Sequence, residues 1–97
     1  MTYEAFRQSL GEQNPPASLT PLLMAMWYEG RGDWHSAHEI AQDVHSRDGS
    51  WIHAYLHRKE GDLGNAGYWY NRAGRSTPTD HLEEEWESIV RELLGSQ

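Results

Sequence analysis

Residues 55–70, YLHRKEGDLGNAGYWY, echo residues 26–41, MWYEGRGDWHSAHEIA, once Gly61-Asp62 is laid on Gly32-Asp33. At this 29-residue offset Ala54 falls on Ala25, Leu63 on Trp34, Ala66 on Ala37 and Ala73 on Val44. Each copy reads as a helix, a Gly-Asp turn and a second helix. The glycine ends the first helix and the aspartate caps the next. A unit of this kind cannot bury its apolar face alone, so the two copies are expected to stack.

The same reading extends to both ends of the chain. Tyr3, Phe6, Arg7 and Leu10 share one stripe of a short leading helix that Thr2 can cap. Gly11 and Pro15-Pro16 then hold a loop open. Thr20-Pro21 starts the first hairpin, about 20–47, with a hydroxyl at the cap and proline at the first helical position. "RDG" at 47–49 is expected to break the helix that Asp33 caps, with Asp48 or Ser50 capping the second hairpin, about 50–75. "RSTPTD" leads to a last helix, about 80–94, with Leu82, Trp86, Ile89, Val90, Leu93 and Leu94 at helical spacing and Gly95 beyond its end. No segment sustains a strand alternation. The expectation is one all-α domain, 1–97: two stacked hairpins, a short N-terminal helix and a C-terminal capping helix. That helix should cover Trp69 and turn the acids of "EEEWE" to water. Gly64 and Gly67, poor helix formers, imply close approach of another helix.

Composition narrows the function classes. Of 97 residues, 15 are acidic and 8 are Lys or Arg, a formal charge of −7. Nucleic acid and anionic membrane surfaces are therefore not expected partners, since both are held by clustered cations. A basic protein partner is compatible, and an acidic inhibitor or immunity-type protein is one alternative function. The chain has no cysteine, which removes disulfides and thiolate metal sites. No signal-peptide pattern and no membrane-length apolar run are present, so the expected location is the cytoplasm.

The second copy carries a family resemblance: Ala54, Gly61-Asp62-Leu63, Ala66, Tyr70 and Ala73, with Pro78 where a closing proline falls. The first keeps Ala25, Tyr28, Gly32-Asp33-Trp34 and Ala37, but has Ala41 where an aromatic is usual. Over about 20–78 the chain resembles the tetratricopeptide and Sel1-like helical-hairpin repeats. "HAYLHRKEGD" and "NAGYWYNRAG" are also similar to a family of short bacterial proteins of unknown activity. The repeat resemblance implies a non-enzymatic module that binds a protein or peptide in a groove lined by the first helix of each hairpin. The matching positions are Leu22, Met26 and Glu29, then Trp51, Tyr55, Arg58 and Lys59. Aromatics beside Arg58 and Lys59 would clamp a carboxylate. A short array also gains by pairing, so a homodimer is a further expectation.

His53 and His57 point to the rival chemistry. Imidazoles four apart share a helix face and can grip a divalent transition metal such as Zn²⁺. The 29-residue offset lays them on Met24 and Tyr28, facing the seam between hairpins. There His38 and Glu39 of the preceding helix complete a candidate four-group site. The alternative is a polar seam in which each ring is satisfied by a neighbour. No catalytic residue is assigned: "HEIAQ" at 38–42 has Gln42 where the zinc-protease signature places its second histidine.

Overall fold

Thr2, Thr20, Asp33, Ser46 and Asp62 each accept, through a side-chain oxygen, the backbone N–H three residues on. Each thereby satisfies a donor that a helix start leaves without a partner. A computed structural model describes residues 1–95. The helices are α1 (Tyr3–Ser9), α2 (Pro21–Gly30), α3 (Trp34–Gln42), α4 (Arg47–Glu60), α5 (Leu63–Arg72) and α6 (Leu82–Gly95), with no strand among the described residues.

The repeat is visible in the backbone itself. Gly32 and Gly61 take φ of 83° and 89°, a left-handed turn that glycine adopts without steric penalty. In each copy the following aspartate N–H returns to the carbonyl five residues back, Asp33 to Tyr28 and Asp62 to His57, both at 2.9 Å. Helices α2 and α3 form one hairpin and α4 and α5 the next, with α3 against α4. Ala25, Ala37, Ala54 and Ala66 are all buried within them, where a small side chain lets two helices approach closely. The architecture is all-helical, with the packing of stacked hairpins. No helix is long and apolar enough to cross a membrane.

Helix α6 lies across α2 and α4 together, and α1 packs on α6. Its apolar stripe of Trp86, Ile89, Val90 and Leu93 is buried, and the Trp86 indole donates to the Met26 carbonyl at 3.3 Å. Phe6 adds to the same core, its ring 5.9 Å from that of Trp86.

Several local expectations change. "RDG" does not break the helix capped by Asp33 but forms the first turn of α4, and α3 ends early at Gln42. Ser46 rather than Asp48 or Ser50 is the cap, through Gly49 N–H at 3.0 Å. Gly49 suits that turn because a Cβ there would meet the Val44 carbonyl oxygen at 2.2 Å. Gly95 closes α6 instead of following it. Gly64 and Gly67 mark no close approach: nothing lies within 4 Å of where a Cβ would stand.

Candidate functional site

Every residue of α4 from Trp51 to His57 is buried, so this helix is wrapped on all sides. Its neighbours are α3, α5, α2 and α6. Polar side chains on it must therefore find partners inside the protein. They fall into two clusters on different faces.

The first cluster faces α2 and α6. Glu85, only 3% exposed, accepts from the Trp51 indole (3.1 Å), Arg58 Nη1 (2.7 Å) and the Tyr70 hydroxyl (2.6 Å). Glu29, equally buried, pairs with Lys59 and accepts from the Tyr55 hydroxyl at 3.4 Å. Arg58 also reaches the Asp80 carbonyl. Burial, then the adjacent carboxylates, push the Tyr55 and Tyr70 phenols far above their ordinary range. Both therefore stay protonated and donate. The residues expected to clamp a peptide carboxylate do hold carboxylates, and both belong to the chain itself. Met26, Trp51 and Tyr55 are buried and α6 packs on this helix, yet Tyr55 lines one surface pocket together with Glu29 and Lys59, and Trp51 lines another. The acids of "EEEWE" also divide, with Glu85 turned inward and Glu83 and Glu84 exposed.

The second cluster faces α3 and α5. His38 of α3 meets His53 of α4 with their Nε2 atoms 3.0 Å apart. His53 stacks on His57 with ring centroids at 4.8 Å and on Trp69 of α5 at 4.0 Å. Trp34 stacks on His38 at 4.9 Å and anchors its indole N–H on the Leu56 carbonyl at 2.8 Å. One ligand nitrogen from each of His38, His53 and His57 lies within 4.8 Å of the others. His53 and His57 are buried and His38 is half-buried.

This cluster is electrostatically uncomfortable when charged. Burial, then the neighbouring imidazoles His38 and His57, lower His53 to about 4. Burial and then His57 lower His38 as well. Those two rings are neutral near pH 7 and keep lone pairs for donors or cations. His57 Nε2 faces the Asn65 amide at 3.4 Å, while its Nδ1 is buried without a hydrogen-bond partner. Glu60 Oε1 stands 3.6 Å from that nitrogen, beyond hydrogen-bond reach.

The structure thus brings together His38, His53 and His57 from the expected set, but not Glu39. Glu39 is exposed and pairs with His35 at 2.9 Å on the outside of α3. Consecutive helical residues point about 100° apart, which separates Glu39 from His38. The nearby carboxylate is Glu60, one helical turn beyond His57; His57, Glu60 and Asp62 form a second grouping of ligand atoms. Trp34 and Trp69 bracket the cluster and Asn65 touches it, roles the sequence reading did not assign. The i,i+4 spacing of Trp34 and His38 was the available signal for one of them. Trp69, expected beneath α6, stacks instead on His53.

Compared with protein-family models, curated proteins and solved structures, the chain has no match.

Proposed function

We propose that the chain binds a divalent transition metal ion, of the zinc class, through His38, His53 and His57. The observation that supports this reading is the convergence of three imidazoles from two different hairpins, within 4.8 Å of one another. Imidazole is a preferred ligand of Zn²⁺, and Zn–N bonds of about 2.0–2.1 Å would set tetrahedral nitrogens roughly 3.3 Å apart. The His38–His53 separation of 3.0 Å is close to that spacing. His57 would complete the trio through one of its two ring nitrogens. Three protein ligands leave a fourth position open, as in sites that bind a small molecule at the metal. The ion's role here would be to hold such a ligand, and the chain's role to position the rings through Trp34 and Trp69.

The deciding measurement is metal content after purification without a metal-affinity tag, with Zn²⁺, Mn²⁺ and Fe²⁺ thermal-shift titrations beside it. About one metal per chain, or a saturable shift that disappears in His57→Ala, is expected. No metal and no shift with any of the three ions would remove the proposal.

A protein-interaction role is the second reading, supported by the outer face of α5. Leu63 is 66% exposed and Tyr68 54% exposed there, large apolar groups left in solvent. Loss of a captured partner in Leu63→Ser with Tyr68→Ser would support it; an unchanged partner set would count against it.

A further inference from the structure

Beside the imidazoles lies a cavity of about 320 Å³. His53 and Trp69 form its inner wall, and His45, Arg47, Ser50 and Arg72 line it further. The volume sits at the small end of ordinary small-molecule sites.

Its charge is anomalous for this chain. The sequence has 15 acidic residues against 8 basic ones, yet among the described residues no carboxylate lines this cavity while two arginines do. Asp43 and Asp48 lie within the 41–50 segment that supplies much of the wall, yet neither is part of the lining.

Neither arginine holds a carboxylate among the described residues, a state they share with Arg7 and Arg31 alone of the other Lys and Arg side chains. Arg58, Lys59, Arg75 and Arg91 each hold a carboxylate, and Arg31 donates to the Leu10 and Glu12 carbonyls. Arg72 sits among aromatic groups: its guanidinium lies 5.4 Å from the Trp69 ring centroid and 5.8 Å from that of Tyr68, and it donates to the Tyr68 hydroxyl. Stacking of this kind holds the planar fork in place while leaving donors free. Arg47 is exposed and makes no ion pair among the described residues. It stands in the first turn of α4, whose dipole adds to the positive field.

We infer that this cavity binds a small oxyanion, a carboxylate or a phosphate, between Arg47 and Arg72, with the body of the ligand against Trp69 and His53. Guanidinium forks match both oxyanions in bidentate geometry. Where the imidazoles hold a metal, the same ligand reaches the open coordination position beside His53. That last clause rests on the metal reading; the anion site does not.

The test begins with chelator-treated protein, titrated calorimetrically with inorganic phosphate and with succinate at matched ionic strength. One-to-one saturable binding of either anion is expected, and the stronger of the two tells phosphate from carboxylate. Arg47→Ala combined with Arg72→Ala should weaken it at least tenfold, with far-ultraviolet circular dichroism unchanged because both side chains are exposed. Arg91→Ala serves as control and should bind normally. Saturation by neither anion, or an affinity indifferent to the double substitution, overturns the proposal.

Co²⁺-loaded protein then separates the two readings. A visible spectrum that shifts with succinate places the anion on the metal, and an unchanged spectrum overturns that clause. Co²⁺ binding without any anion binding defeats the cavity while sparing the metal site. Anion binding without Co²⁺ binding does the reverse.

Discussion

The two faces of α4 solve the same problem in opposite ways. Toward α2 and α6, Trp51, Tyr55, Arg58 and Lys59 meet Glu29 and Glu85, and these groups all have partners. Toward α3 and α5, His53 and His57 meet another histidine and two tryptophans, and one buried nitrogen has no hydrogen-bond partner among the described residues. A complete hydrogen-bond set is what a structural seam requires. An incomplete one, built of metal-ligating groups, is destabilising in isolation and gains most from an added ion. That difference is what the proposal of metal binding at the imidazole face rests on.

The largest effect should come from breaking the satisfied face. Glu85→Ala strands the buried Trp51 and Tyr70 donors and leaves Arg58 with Asp80 alone, and losing one partner of a buried charged set costs about 3–5 kcal/mol. Urea unfolding monitored by circular dichroism should show the midpoint collapse; a loss under 1 kcal/mol would show that α6 is not held by this carboxylate.

Next comes the incomplete face with its ion supplied. Zn²⁺ at about a hundred times its dissociation constant should stabilise the fold by about 2.7 kcal/mol. The gain should vanish in His53→Ala while persisting in a Glu39→Gln control, because Glu39 points away. A gain that survives His53→Ala would place the ion elsewhere.

Acid should act on the imidazole face without any substitution. His53 is lowered in the folded state, to about 4, from an ordinary 6.5, so its contribution is intact above about pH 6.5. As the pH falls below that value the unfolded chain takes up the proton first, and stability is lost progressively toward pH 4. Between pH 7 and pH 5 the loss from this group should be about 2 kcal/mol. The metal-free His53→Phe variant should show a shallower slope over that window; an identical slope would assign the acid sensitivity to other groups.

The smallest effect sharpens the comparison from outside both faces. Gly64→Ala on the open side of α5 should stabilise by about 0.5–1 kcal/mol, since the added methyl meets nothing and alanine favours the helix. Gly49→Ala should destabilise instead, because its Cβ would strike the Val44 carbonyl. Thermal melts of the pair with equal signs would contradict the placement of α4's first turn.

Much of this architecture is legible in the sequence because it is local. Thr2, Thr20, Asp33 and Asp62 declare their helices, and the paired Gly-Asp turns declare the hairpins. "RDG" misleads for a local reason too: glycine reads as a breaker until Val44 is seen pressing on Gly49. The site is less legible because it depends on register between helices. Four acids at 83–85 and 87 look alike, and only the docking of α6 selects Glu85 to go inside. His53 and His57 announce themselves as a pair, while their meeting with His38 follows from the stacking of α3 on α4. The same stacking explains why Glu39, adjacent to His38, is left outside.

The placement of α6 has a bearing on how the molecule comes apart. In an extended solenoid each repeat touches only its neighbours, and the ends can melt alone. Here a single rod ties both hairpins at once, through Trp86 to the backbone of α2 and through Glu85 to α4. Neither hairpin can detach without freeing the cation of the other's clasp or uncovering its core. Such cross-bracing should make the two hairpins melt together rather than one after the other.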